Sequence, residues 1–234
     1  MSVVVTRKDI LSVPADAAVL CIENKMRVSA EAASLRLEEA GGPMLRRQLD
    51  QVVFLPVGQA CAVRSPLPDF RVILAVGAPR WRWGEDDEIM VLRKCYRALF
   101  AAAEEAGCRS VVTPVLSAVY YGFPKEYAAR IAREEASRAA PDTVLLADTE
   151  EMYALLEADL RQPEVVAFAG WYRDRAAFLL ENGRYAMVDM RPENRGVWIR
   201  TFVEPCYRRE LNRRQEPLPA DELVRLLDIY REEG

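Results

Sequence analysis

The sequence predicts an α/β protein: a mixed sheet with helices on both faces, followed by a small α+β extension. Three features carry this prediction. Short aliphatic runs alternate with segments of helical periodicity throughout residues 2–160, the order expected of a parallel or mixed sheet with crossover helices. Runs such as residues 16–22 (DAAVLCI) and 71–76 (RVILAV) are almost continuously apolar, as in strands buried on both faces. Beyond Pro163 the pattern changes to strands joined by tight turns and a closing helix. A chain of 234 residues has room for one domain with a sizeable core and a small second one, placed at 1–162 and 163–234.

The elements follow in order. Residues 2–6 (SVVVT) form a short β-branched strand, and Pro14 separates them from the strand at 16–22. Ser29 is a candidate N-cap for a helix that closes at Gly41-Gly42, and Pro43 opens another short helix. A strand begins at Gly58, and the buried strand at 71–76 comes after a loop with Pro66 and Pro68. Apolar residues at helical spacing (Ile89, Leu92, Tyr96, Leu99, Phe100) predict a helix over 89–106. The next stretch, 110–124 (SVVTPVLSAVYYGFP), reads as a buried strand, a tight loop and a helix start. Such a strand mouth is where an open α/β sheet binds anions, because free N–H groups and the helix dipole point there. A strand at 143–147 and a helix at 150–160 complete the first part. In the extension, strands lie within 176–188 and 196–203, with an Asn182-Gly183 turn and another around 192–196, and a helix at 221–233.

Composition removes several function classes. Lys and Arg number 32 against 36 Asp and Glu, a net charge of −4 that argues against nucleic acid as a partner. No apolar run approaches the roughly 18 residues of a membrane span, and the N-terminus lacks a signal segment. The cysteines (Cys21, Cys61, Cys95, Cys108, Cys206) form no CxxC pair and read as reduced, mostly buried residues of a cytoplasmic protein. There is no histidine, so a Ser-His-Asp triad, a Cys-His pair and a His-ligated zinc are all excluded. No cofactor or metal is called for. Acid–base chemistry falls to carboxylates, lysine, tyrosine or water.

With this order in place, residues 1–160 resemble a macrodomain, the three-layer module that binds ADP-ribose and related nucleotides. Asp9-Ile10 resembles the family's Gly-Asp-Ile element, with Lys8 in place of the glycine. Asp16-Ala17-Ala18-Val19 resembles its Asp-Ala-Ile-Val strand. Gly58-Gln59-Ala60, Leu67-Pro68 and the VILAVGAP segment resemble its stretch from Gly-x-Ala to Val-Gly-Pro. Pro114 to Pro124 resembles the second phosphate loop, and residues 142–160 the last strand and its closing helix.

The resemblance implies a site. Asp9 would accept a hydrogen bond from an adenine amine, and Ile10 would offer its N–H to the same ring. Ser117, Ala118, Val119, Tyr120 and Tyr121, in the loop that Gly122 and Phe123 complete, would turn backbone N–H groups to a diphosphate. Tyr121 or Phe123 would pack on the distal ribose. The departures are as specific. The family's Asn-Ala-Ala-Asn falls on Leu20-Cys21-Ile22-Glu23, leaving Asn24 one position late. The glycine-rich first phosphate loop falls near Val28-Ser29-Ala30-Glu31 and has no glycine, although close approach of backbone to a diphosphate favours one. The family's usual histidine is Leu74, and the second-loop glycine is Val119.

Three functions are compatible with these residues. The first is a divergent macrodomain binding ADP-ribose or a related nucleotide without efficient catalysis. The second is a metal-independent hydrolase of ADP-ribosyl or O-acetyl-ADP-ribose substrates, with Glu23, Asn24 or Asp9 acting on water. The third is an interaction protein that has lost the ligand site. Glu23 reads first as a strand-end carboxylate paired with Lys25 or Arg27, ahead of any role as a base. Trp81 and Trp83 read as a stacking surface or as the cover of a core edge. Arg208, Arg209, Arg213 and Arg214 read as a solvated face. Residues 163–234 are the expected surface for any homo-oligomer.

Overall fold

A computed structural model describes residues 2–23, 26–82, 87–158, 162–172, 175–191, 196–200 and 218–233. Asn24, Lys25, Trp83, the arginine cluster at 208–214, the turn residues 192–195 and the end of the strand expected to reach Val203 lie outside the described residues.

β-branched and aliphatic runs become strands where the sequence places them. These are β1 (Val3–Thr6), β2 (Ala17–Glu23), β4 (Ala60–Arg64), β5 (Val72–Gly77), β6 (Ser110–Pro114) and β7 (Asp142–Leu146). A two-residue strand, β3 (Arg27–Val28), has no counterpart in the sequence reading. The sheet order is β1-β7-β6-β2-β5-β4, with β3 added on β2. β1, β7, β6, β2 and β5 are mutually parallel, and β4 closes one edge antiparallel to β5. Helices α1 (Ala32–Asp50), α2 (Glu88–Glu105), α3 (Lys125–Arg138) and α4 (Glu150–Glu157) flank this mixed sheet.

β2 lies inside the sheet, and six of its residues are almost fully buried, which accounts for its unbroken apolar run. Its period of two divides them between faces. Ala18, Leu20 and Ile22 pack with Leu37, Leu45 and Leu49 of α1, whereas Cys21 lies near Cys95 of α2. Gly77 ends β5 where the Pro56 carbonyl passes so close that a Cβ would stand 2.7 Å from its oxygen. No other residue type fits there without moving the backbone.

Helix starts and stops differ in two respects from expectation. The N-cap of α1 is Glu31, not Ser29, and its side chain makes no capping bond. The predicted break at Gly42-Pro43 is a kink within α1, with Gly42 at φ +51°. Thr149 caps α4 in the ordinary way, accepting from the Met152 N–H. Between α2 and α3, buried Arg93 pairs with Glu135 at 3.0 Å and with Glu134 at 2.7 Å, and Arg97 also reaches Glu135.

The chain divides into two units, residues 1–81 with 91–160, and residues 82–90 with 161–234. The second unit is an antiparallel sheet of order β11-β10-β9-β8, formed by β8 (Val165–Tyr172), β9 (Arg175–Leu180), β10 (Tyr185–Asp189) and β11 (Gly196–Arg200), with helix α5 (Ala220–Glu233). The β9–β10 hairpin turns through Gly183 at φ +75°, as the Asn-Gly pair predicts. β8 was not expected. Among the described residues no helix is long and apolar enough to cross a membrane.

Candidate functional site

The five parallel strands end at one edge of the sheet, where open α/β folds place their ligands. There the chain reverses its direction of travel across the sheet. From β2 it proceeds to β4 and β5 on one side, and from β6 to β7 on the other. β2 and β6 pair only at Ala17–Val111 and Ala18–Val112, then part. β5 holds one edge of β2 as far as Ile22, so β3, paired at Ile22 and Glu23, takes the edge that β6 has left. The Ser29 N–H bonds to the Cys21 carbonyl at 2.9 Å, and the Ser34 hydroxyl accepts from the Cys21 N–H at 2.9 Å. Ser29 and Ser34 are thereby tied to the end of β2.

Asp9 follows β1 at this edge. Its Oδ1 accepts from the Leu11 N–H at 2.9 Å, capping a 3-10 turn over Ile10–Ser12, and its Oδ2 takes the Arg36 Nε at 3.0 Å. The Leu11 amide and then Arg36 hold its carboxyl below the usual aspartate range. It is an anionic acceptor, half-exposed beside buried Ile10. Arg36 was not singled out in the sequence.

The loop after β6 is held at both ends. The Leu116 N–H donates to the buried Tyr96 hydroxyl at 2.9 Å, and the Phe123 N–H to the Ser117 carbonyl at 3.0 Å. Between them, no hydrogen bond closes on the N–H groups of Val119, Tyr120 or Tyr121 among the described residues. Ser117 sits at φ +65° and Gly122 at φ +68°, left-handed conformations that turn the chain at each end of the loop. Val119 and Tyr120 are exposed, whereas Ala118, Tyr121 and Phe123 are buried. Phe123 makes an edge contact with Trp81 at 4.8 Å, and Trp81 donates its N–H to the Tyr121 carbonyl. Trp81 and Phe123 therefore brace the loop. The Arg80 guanidinium lies 5.4 Å from the Tyr121 ring and 5.9 Å from Tyr120, putting a cation beside the loop.

Glu23, the partner of Arg27 in the β2–β3 register, is partly buried at the strand end. Desolvation and then the Glu23 charge push the Tyr121 hydroxyl up, which places Glu23 near the loop after β6. Leu20, where the resemblance puts an asparagine, is wholly buried.

A second carboxylate is more unusual. Glu31 is 3% exposed, and neither carboxylate oxygen meets a donor in full hydrogen-bond geometry among the described residues, although the Cys21 thiol and the Ser117 N–H lie beside it. The Ser29 and Ser117 hydroxyls are buried and unpartnered in the same way. Each such group costs about 1–3 kcal/mol unless something satisfies it. Burial pushes the Glu31 carboxyl up to about 7. The adjacent Cys21 thiol pulls it back, the Asp148 charge raises it further, and the Ser117 N–H lowers it. Glu31 therefore faces both sides of the crevice. Its signal in the sequence was a carboxylate standing where glycines were expected. Asp148, after β7, carried no signal.

Among the described residues no group of three or more His, Cys, Asp or Glu side chains is placed to hold a metal ion. The four described cysteines are free thiols, three of them buried.

A mixed sheet of this order, with the chain reversing its direction of travel between β2 and β6, defines an α/β module of the macrodomain type. Comparison with known proteins agrees. The Macro domain family model matches residues 24–132. A macro domain-containing protein of Ralstonia nicotianae is 32% identical over 126 residues, covering 54% of this chain and 73% of its own. O-acetyl-ADP-ribose deacetylase 1 of Pantoea vagans is 32% identical over 135 residues, with 56% and 78% covered. Among solved structures, the Oceanobacillus iheyensis macrodomain with ADP superposes with a TM-score of 0.60 at 19% identity, covering 65% of this chain and 86% of that one. The Trypanosoma brucei macrodomain in complex with ADP-ribose gives 0.57 at 22% identity, with 66% and 67% covered. The chain belongs to the macro domain family.

Proposed function

We propose that this protein binds ADP-ribose or a related nucleotide in the crevice between β2 and β6, without efficient catalysis. The observation that carries this is the loop after β6, whose uncommitted amides at Val119, Tyr120 and Tyr121 lie at the mouth of the sheet beside Arg80. Such amides, in a loop bounded by left-handed Ser117 and Gly122, suit a diphosphate. Asp9 stands ready to accept from an adenine amine, and Ile10 borders the same place. The binding of ADP or ADP-ribose by the Oceanobacillus and Trypanosoma macrodomains supports the same ligand class. Weak catalysis follows from a buried leucine at position 20 and a carboxylate at position 23, where the family places asparagines.

Calorimetric titration with ADP-ribose tests this reading. The wild type is expected to bind saturably, and Asp9→Ala to bind at least about tenfold more weakly, the loss of one charge-assisted hydrogen bond. Equal affinities would remove Asp9 from the site, and absence of heat up to about 1 mM ligand would set the nucleotide reading aside.

A second reading is favoured by one observation, the similarity to the Pantoea deacetylase. Here Glu23 would draw a proton from water attacking the ribosyl or acetyl ester, with Asn24 or Asp9 positioning it. O-acetyl-ADP-ribose turnover that falls at least about a hundredfold in Glu23→Gln would support hydrolysis. Turnover kept in full by that variant would rule out Glu23 as the base.

A further inference from the structure

Glu31 is a buried carboxylate that makes none of the contacts its position offers. It stands at the N-cap of α1 yet does not cap it, and no described ion pair reaches it. Its surroundings come from four other elements. β2 contributes the Cys21 thiol, and α2 the Tyr96 hydroxyl, which accepts from Leu116. The loop after β6 contributes the Ser117 N–H and the Tyr121 hydroxyl, and the segment after β7 the Asp148 carboxyl. Burial raises the Cys21, Tyr96 and Tyr121 groups, so all three stay neutral near neutral pH. Asp148 is a second acid whose own carboxyl is raised by desolvation. No cation among these groups pairs with an ionised Glu31; the positive end of α1 is the favourable field upon it, and Arg80 lies beyond, on the Tyr121 ring.

The Ser117 N–H that faces Glu31 belongs to the loop that the nucleotide reading assigns to a diphosphate. Ser29 and Ser117 add two buried hydroxyls without acceptors or donors of their own. This is an anion cradle with an anion already built into it. We propose that Glu31 is the specificity-determining residue of the crevice, an internal carboxylate standing in for a ligand phosphate. Ionised, it excludes a nucleoside diphosphate from the Ser117 side of the loop. Protonated, it yields that N–H and becomes a donor itself. ADP-ribose therefore binds with uptake of one proton. The inference rests on the nucleotide reading above and adds the condition under which the diphosphate enters.

The test is titration of the full chain and of Glu31→Gln with ADP-ribose, whose diphosphate carries no proton that titrates near neutrality. If only the protonated form is competent and the carboxyl titrates near 7, wild-type affinity is about tenfold higher at about pH 6 than at about pH 8. Binding heats measured in buffers of different ionisation enthalpy then report uptake of close to one proton at about pH 8. Glu31→Gln, neutral at every pH, binds at about pH 8 as tightly as the acidified wild type. Wild-type affinity that is flat with pH overturns the proposal, and so does a Gln variant no tighter at the higher pH. Titration with adenosine, which lacks the diphosphate, separates the two claims. If adenosine binds but ADP-ribose gains nothing from the substitution, the role of Glu31 fails and the nucleotide reading stands. If neither ligand binds either protein at either pH, both fall.

Discussion

Glu31 also leaves a mark on stability. Its carboxyl titrates near the ordinary glutamate value of 4.5 in the unfolded chain and near 7 when buried. Between those values the folded protein holds a proton that the unfolded chain has released. Stability is therefore full below the lower value and is lost as pH rises through the upper one. The loss sums to roughly 3 kcal/mol. Glu31→Gln removes this dependence. Urea unfolding between about pH 4 and about pH 8 is expected to show wild-type stability falling relative to the variant, with the gap levelling off above neutrality. Parallel curves would mean that Glu31 is ionised and solvated in the native state. Asp9 behaves in the opposite sense. Its carboxyl is lowered by Leu11 and Arg36, so its contribution is present above the ordinary aspartate range and fades in acid. The exposure of the Arg36 pair keeps that contribution small.

At the scale of elements, the strand mouth at 110–124 was legible because an apolar run followed by Gly-Phe-Pro leaves few alternatives to strand, loop and helix. β3 was not legible. Two residues carry no periodicity, and Arg27–Val28 form a strand only because β6 vacates the edge of β2. β8 was missed because Gly170 interrupts its run and two register irregularities break its alternation against β9. The α2–α3 contact was equally hidden, since no spacing links Arg93 to Glu135 across 42 positions. That pair is almost wholly buried, so removing one charge leaves the other with part of its compensation gone. Glu135→Ala is expected to cost about 3 kcal/mol in chemical denaturation. Asp228→Ala, at the exposed Arg231–Asp228 pair on α5, is expected to cost less than about 0.5 kcal/mol. Similar costs for the two would show that Arg93 finds water or other acceptors once Glu135 is gone.

At the scale of the molecule, the sequence by itself determined the mixed α/β class and the order of the longer strands and helices of the first unit. Strands buried on both faces must be apolar throughout, and turns need particular residues, so both leave a local trace. It also determined what the cleft lacks, because the absent glycines at 28–31 and the absence of histidine are matters of composition. Only the tertiary structure decided what occupies that cleft. Glu31 lies 86 positions from Ser117 in the chain, and the two meet because β2 and β6 are neighbours that part at their ends. The bracing of the loop by Trp81 and Phe123, and the placement of Arg80 beside Tyr121, have the same origin. Burial, and the pKa it shifts, depends on the whole packed assembly around a group. A sequence records that a carboxylate is present, and the fold decides whether water can reach it.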